Sequence, residues 1–189
     1  MAGPIPSQKV IGTHSGAFHA DESLACAILR LLPRFHEAKI VRTRRSDEIE
    51  LCDVVVDVGG VYDPKGLRFD HHQRDFDEKW TLSPIEKYPP VKMSSAGLVY
   101  THFGKEVLKE LGVAAEDIEV VYPLIYDSLI REVDGIDNGI NQYPGDHLPA
   151  YKIATGLSFR ISRLNPRWNK PLSSGDPYLE GFNAAMKLA

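Results

Sequence analysis

Short apolar runs alternate with amphipathic stretches through the first two thirds of the chain. Residues 9–14, 38–44 and 52–60 are predicted strands, and the three consecutive valines of the last run are typical of a strand covered on both faces. Residues 21–32 carry leucine and isoleucine at helical spacing, and Pro33 ends this predicted helix. The alternation predicts an α/β fold with a mainly parallel sheet flanked by helices on both faces.

The later segments predict a hairpin and further helices. The hairpin turns at Asp63-Pro64-Lys65-Gly66. A helix is predicted over residues 96–111, with Ser94 or Ser95 as its cap and Gly112 as its stop, and another from 116 to about 133, broken or kinked at Pro123. We interpret residues 1–145 as one α/β domain and residues 146–189 as a helical extension or the truncated start of a second domain.

Composition and charge narrow the class of protein. The 189 residues are 43% apolar, enough for one large globular domain, and 22 basic against 26 acidic residues provide no global positive field for nucleic acid. Cys26 and Cys52 lie in apolar stretches outside any Cys-x-x-Cys pair, which favours reduced thiols in an intracellular compartment. No apolar stretch approaches the ~20 residues of a membrane span, and no targeting segment is visible, so we expect no membrane partner.

Histidines and aspartates follow the predicted strands at the edge of the sheet where open α/β folds bind ligands. Three separate segments supply them: the end of the first strand with the start of the first helix, the end of the valine-rich strand, and the connection after the hairpin. The candidates are His14, His19, Asp21, Asp57, Asp70, His71 and His72. Singly, each has a plainer explanation as a helix cap or a polar strand end, whereas their convergence favours a metal site.

Mixed imidazole and carboxylate ligands suit Mn²⁺, Fe²⁺, Co²⁺ or Zn²⁺, whereas Mg²⁺ prefers oxygen. The candidates exceed the needs of one ion, so we expect two ions about 3.5–4 Å apart that share a carboxylate. Asp57 is the best placed bridge. The sequence contains neither a Gly-x-Ser-x-Gly elbow nor a Walker loop, so we expect no ATP binding.

Two basic clusters are candidates for phosphate contacts. The first contains Arg44 after the second strand, and the second contains Arg160 and Arg163, followed by Trp168 and Lys170. An arginine face beside an aromatic side chain can contact phosphates and stack a base. The alternative is that these charges form solvated surfaces.

The segments "HSGAFHADE", "VVVDVGG", "FDHH", "REVDGIDNGI" and "RLNPRWN" resemble successive motifs of the melanocyte-proliferating-gene protein family, a branch of the DHH phosphoesterase superfamily. The resemblance covers nearly the whole chain. It implies a DHH-type N-terminal domain with two metal ions, most often Mn²⁺, with Mg²⁺, Co²⁺ or Zn²⁺ as alternatives. It also implies a 3′–5′ exonuclease that acts on RNA in the nucleus and mitochondrion.

The resemblance implies a role for each candidate. The ligands of one ion are His14, His19 and Asp57, and those of the other are Asp21, Asp57, His71 and Asp134, with Asp137 in reserve. His72 is expected to face substrate, and Asp70 to orient His71 or its neighbour. The superfamily usually has an aspartate where this chain has His19, which shifts metal preference further from Mg²⁺.

Three functions remain open from the sequence. The first is a phosphodiesterase acting on RNA or short oligonucleotides, and the second is a small-molecule phosphohydrolase such as a pyrophosphatase or nucleotide phosphatase. The third is a non-catalytic domain stabilised by metal. Superfamily members usually close the site with a second domain that supplies basic residues, so we expect the substrate clamp to be incomplete in residues 1–189.

Overall fold

A five-stranded sheet forms the centre of the computed structural model, which describes residues 8–84, 88–143, 145, 149–167, 169 and 176–189. The strands are β1 (Val10–Thr13), β2 (Lys39–Arg42), β3 (Val54–Val56), β4 (Tyr62–Asp63) and β5 (Arg68–Phe69), in the spatial order β2-β1-β3-β5-β4. All pairings are parallel except the β4–β5 hairpin. The predicted α/β class, the mainly parallel sheet and the hairpin are therefore confirmed.

Seven α-helices surround or extend this sheet in the described part of the chain. They are α1 (Ala20–Arg30), α2 (Ser46–Ile49), α3 (Ser95–Glu110), α4 (Ile118–Ile125), α5 (Arg131–Asp137), α6 (Leu157–Ser162) and α7 (Pro177–Leu188), with a 3-10 turn at Pro33–Phe35. The predicted boundaries of α1 and α3 agree within two residues. Ser94 is the N-cap of α3, and Gly112 follows that helix with a φ of 84°, in the left-handed region that favours glycine. None of the described helices has both the length and the apolar composition of a membrane span.

The prediction for residues 116–133 was wrong about where the helix changes. Pro123 lies inside α4 and does not end it. The irregularity comes after α4, as a π-helical turn at Tyr126–Ile130, and helical structure then continues to Asp137. A π turn changes the angular position of every residue that follows, which alters the faces presented by α5.

The two faces of the sheet are covered unequally. Ile11, Val54 and Phe69 pack into the main core together with side chains of α1 and α3. On the opposite face, Val55 belongs to a small cluster with Ile49, Cys52 and Val58, so the helical cover there is the single turn of α2. Gly12 lies on this side, where an added Cβ would meet Cys52 Sγ at 2.7 Å. The predicted helices on both faces are thus present, but the second layer is thin.

Residues beyond 145 contribute to the main core. Ile161 of α6 and Phe182 of α7 are fully buried there, and the Phe182 ring meets Phe18 edge to face at 5.8 Å. The Asn165 side chain accepts a hydrogen bond from Phe18 N and donates one to Phe18 O. The helical extension therefore packs on the start of α1, while the predicted domain boundary at 145 remains a prediction.

We expect Phe182→Ala to reduce the free energy of unfolding by about 3–5 kcal/mol, because a fully buried ring is lost and leaves a cavity. Urea unfolding measures this change. Tyr178→Ala is the matched control on α7, since that ring is 36% exposed, and its cost should stay below about 1 kcal/mol. A main transition that Phe182→Ala leaves unchanged would contradict a shared core.

Candidate metal centre

The ends of three neighbouring parallel strands deliver the candidate ligands to one edge of the sheet. His14 follows β1, Asp57 follows β3, and Asp70, His71 and His72 follow β5. The start of α1 adds further side chains from the same edge, namely His19 at the N-cap and Asp21 and Glu22 in the first turn. The strand order β1-β3-β5 thus brings together segments that are distant in the sequence.

Asp57 lies between two buried imidazoles. Its Oδ2 is 3.4 Å from His14 Nε2, and its Oδ1 is 3.5 Å from His71 Nε2. The backbone of Asp57 has a φ of 56°, in the left-handed region, which aspartate tolerates better than most residues. This conformation turns the carboxylate towards both histidines at the position expected for a bridge.

Potential ligand atoms form three groups, each with its atoms within 4.8 Å of one another. The groups are His14, His19 and Glu22; Asp57, His71 and His72; and Asp21, His71 and Asp137. His71 belongs to two of them, because its Nε2 is 3.1 Å from Asp137 Oδ2 and 3.7 Å from Asp21 Oδ2. Each of the three groups could therefore hold a metal ion.

Several buried atoms of this cluster lack hydrogen bonds. Asp57 Oδ1 and both ring nitrogens of His71 have no hydrogen-bond partner among the described residues, although the contacts above bring opposite charges near them. Buried polar atoms are normally paired, because an unpaired one costs about 1–3 kcal/mol. A divalent cation would satisfy Asp57 Oδ1 and one ring nitrogen of His71, and the mixed nitrogen and oxygen donors suit Mn²⁺, Co²⁺ or Zn²⁺. The side chains present therefore fit a metal centre.

The electrostatics of Asp57 and its two histidines are coupled. Burial alone raises the pKa of Asp57, but the contacts with His14 and His71 outweigh it and lower that pKa to about 2. Burial lowers the pKa of His14, yet Asp57 and Glu22 raise it to about 10, and Asp137 and Asp57 similarly raise the pKa of His71 to about 10. Without a metal, these carboxylates therefore favour the positively charged imidazolium form of both histidines.

Glu22 was missed by the sequence interpretation. Its side chain is fully buried, both carboxylate oxygens accept a hydrogen bond from His19 N at 3.0 Å, and Oε1 lies 2.9 Å from His14 Nε2. The spacing His19-x-x-Glu22 is that of a capping box, and this pattern could have indicated from the sequence that Glu22 lies at the start of α1. Glu22 holds the start of α1 against His14.

Asp134 was predicted as a ligand, but the structure gives its oxygens other partners. Oδ1 accepts hydrogen bonds from the Ser94 hydroxyl at 2.7 Å and from Gly97 N at 3.1 Å, and Oδ2 accepts one from Tyr126 at 2.6 Å. Burial raises the pKa of Asp134 to about 6, although these bonds lower it in part. Asp137, the reserve residue, occupies the position beside His71 instead.

The first turn of α3 also holds Asp21. The Ser94 hydroxyl lies 2.5 Å from Asp21 Oδ1, Ala96 N donates to the same oxygen at 2.6 Å, and Ser95 N donates to Oδ2 at 3.1 Å. Burial and the neighbouring carboxylates of Asp57 and Asp137 raise the pKa of Asp21 well above its ordinary value. The sequence predicted Ser94 only as a cap of its own helix, not as a bridge between two aspartates of other helices.

Asp70 orients His72 rather than His71. Its Oδ1 accepts hydrogen bonds from His72 N at 3.2 Å and from His72 Nδ1 at 2.7 Å, while Oδ2 accepts one from Gly60 N at 2.6 Å. The His72 side chain is 62% exposed, in contrast to the buried His71 ring. His72 is therefore held at one nitrogen and open to solvent.

A cavity of about 840 Å³ adjoins this cluster. Its lining includes the candidate ligands His14, His19, Asp21, Asp57 and Asp137, together with Asp70, His72 and Arg44. Of the predicted phosphate contacts, only Arg44 lines the cavity; Arg163 lies outside it, with its guanidinium 4.9 Å from the Phe159 ring centre, and Arg160 is exposed on α6. Trp168 and Lys170 lie outside the described residues.

The comparisons with known proteins give a consistent result. Residues 10–189 match the profile of an uncharacterised protein family, UPF0160, that carries the label MYG1 exonuclease. The chain is 50% identical over 183 residues to the MYG1 exonuclease of Rattus norvegicus, covering 94% of this chain and 46% of that protein. No solved structure gives a significant match.

Further relatives extend the similarity across distant organisms. The MYG1 exonuclease of Homo sapiens is 49% identical, with 94% of this chain and 47% of that protein covered, and the MYG1 protein of Dictyostelium discoideum is 46% identical, with 96% and 54% covered. The chain thus spans about half the length of the curated relatives it matches. On the match to the family profile and on these identities, the chain belongs to the MYG1 exonuclease family.

Proposed function

We propose that this chain is the metal-binding part of a metal-dependent phosphoesterase, a 3′–5′ exonuclease that acts on RNA through a dinuclear, manganese-type site. The observation that carries the proposal is the convergence of buried imidazole and carboxylate groups around Asp57, with ligand atoms that have no hydrogen bonds. The names of the mammalian relatives, which are exonucleases, support the same reaction class. The resemblance to the DHH phosphoesterases supports the dinuclear arrangement.

The proposed ligands are those that the family resemblance implies, except where the distances in the structure favour another residue. His14, His19 and Asp57 would hold one ion, with Glu22, whose carboxylate groups with the two histidines, on the buried side. Asp21, Asp57, His71 and Asp137 would hold the other ion. Asp137 replaces Asp134 in this proposal because Asp137 Oδ2 lies 3.1 Å from His71 Nε2 and groups with Asp21 and His71, whereas Asp134 belongs to none of the three groups of potential ligands.

Divalent ions bound there supply Lewis acidity and lower the pKa of water near the phosphorus. The protein contributes the groups that position and neutralise the phosphate. Asp70 fixes Nδ1 of His72, which leaves Nε2 to face the substrate and, when protonated, to donate to a phosphoryl oxygen. Arg44 lines the same cavity and provides a charge-assisted contact for a phosphate oxygen.

The relatives are about twice as long as the matched region, so additional phosphate-binding residues are proposed to come from the remainder of such longer proteins. The ligand cluster itself lies entirely within the described residues of this chain. Metal binding can therefore be measured on the chain as it is, separately from turnover.

The function is tested with labelled RNAs of increasing length, supplied with Mn²⁺ beside pyrophosphate and mononucleotides. We expect stepwise shortening of RNA from the 3′ end. Asp57→Asn should reduce this rate by at least about 100-fold, because it removes the central negative charge while keeping the side-chain shape. Hydrolysis of pyrophosphate or nucleotides without RNA shortening would favour a small-molecule phosphohydrolase, and metal-dependent stabilisation without any turnover would favour a non-catalytic domain.

The choice between Asp137 and Asp134 is tested by two substitutions on the same helix. Asp137→Asn should weaken Mn²⁺ binding by about 10–100-fold, and it should lower the melting temperature of the metal-free protein less than Asp134→Asn does, since the Asp137 side chain is 18% exposed and that of Asp134 is fully buried. Asp134→Asn should instead lower the metal-free melting temperature, because it disturbs a fully buried network. Calorimetry with Mn²⁺ and thermal unfolding give both values, and the reverse pattern would restore Asp134 as the ligand.

Metal affinity should rise with pH. The pKa values of His14 and His71 are both raised to about 10, so between pH 6 and 8 a cation must displace their protons before it can bind the ring nitrogens. The apparent dissociation constant for Mn²⁺ should fall by about tenfold per pH unit for each proton released. Titrations in buffers of different ionisation enthalpy count these protons, and pH-independent affinity without proton release would contradict the expectation.

A further inference from the structure

One side of the cavity is apolar and takes no part in the metal cluster. Val133 and Ile136 of α5, Ile153, and Phe159 of α6 line it together with Ser158 and Ser162. Ile136 and Ile153 are 53% and 59% exposed, so both side chains are accessible from the cavity they line. Neither a metal ion nor a phosphate group gains from such a surface, so this side fits another part of the ligand.

Two basic side chains lie over the ring of Phe159, the aromatic residue on this side of the cavity. The Arg163 guanidinium is 4.9 Å and the Lys152 ammonium 5.7 Å from the Phe159 ring centre. Phe159 itself is half-buried and lines the cavity. An aromatic ring beside basic side chains is the combination that binds a nucleobase together with its sugar-phosphate backbone.

We propose that Phe159, Ile136 and Ile153 form a subsite for the base of the terminal nucleotide, whose phosphate lies at the Asp57 cluster. This subsite rests on the proposed function, and it adds that α6 of this chain contacts the base directly. The cavity of about 840 Å³ has the size of sites that hold small organic ligands. Stacking uses the π-face that every base has, so the subsite accepts all four bases with little discrimination.

The test compares two labelled RNA tetranucleotides, one with a 3′-terminal adenosine and one with an abasic 3′-terminal ribose. The full chain is assayed with Mn²⁺, and the ratio of kcat/KM between the two RNAs is the readout. Phe159→Leu keeps most of the apolar volume but removes the ring, and we expect the ratio to fall about tenfold. Phe159→Tyr keeps a ring and should restore the ratio to that of the unsubstituted chain.

Tyr178→Leu is the control, because it removes an aromatic ring from α7, which does not line the cavity. Its ratio should equal that of the unsubstituted chain. Thermal unfolding of each variant shows whether it is folded. An unchanged ratio in Phe159→Leu, or an equal loss on both RNAs, overturns the base subsite while leaving the phosphoesterase proposal intact.

Binding provides a second readout that separates the two proposals. Fluorescence anisotropy of the same RNAs with Ca²⁺ in place of Mn²⁺ measures affinity without relying on turnover. If the chain cleaves neither RNA with Mn²⁺, the phosphoesterase proposal fails for this chain. The subsite is still supported if the base-bearing RNA binds more tightly than the abasic RNA and Phe159→Leu abolishes this difference. Equal binding of both RNAs by the unsubstituted chain overturns it.

Discussion

The first turn of α3 holds two carboxylates that belong to other helices, Asp21 of α1 and Asp134 of α5. Fully buried aspartates are unfavourable unless donors surround them, and here the free N–H groups of a helix N-terminus provide those donors together with its partial positive charge. The Ser94 hydroxyl touches both carboxylates. This contact fixes three helices relative to one another, and the ligands at the sheet edge depend on that arrangement.

The same contact prepares Asp21 for the ligand role proposed for it. Its oxygens are oriented by Ser95 N and Ala96 N before any cation arrives, so little conformational freedom remains to be lost on binding. Gly97 has to be a glycine because the carboxylate of Asp134 lies against its backbone, where an added Cβ would overlap it. The scaffold is therefore organised by buried charges as much as by its apolar core.

The sequence predicted the features that depend on local pattern. The strand ends at His14 and Asp57 and the run Asp70–His71–His72 follow from apolar runs and from the rule that parallel strands end at one edge. The contact of Asp137 with His71 did not follow, because the π turn at Tyr126–Ile130 changes the faces presented by α5 and leaves no clear mark in the sequence. The contact of Glu22 with His14 and the place of Phe159 at the cavity were also missed, since both arise only through tertiary packing.

The left-handed backbone of Asp57 restricts which side chains that position can accept. Glycine and asparagine enter this conformation with little strain, whereas alanine, valine and other residues with a Cβ but no local hydrogen-bonding side chain do so at a cost. Glycine at this position would keep the backbone conformation of the sheet edge but would remove the carboxylate that partners the two buried imidazoles. The backbone contribution and the electrostatic contribution of residue 57 to stability are therefore separable: glycine removes only the second, and alanine removes the carboxylate and adds backbone strain.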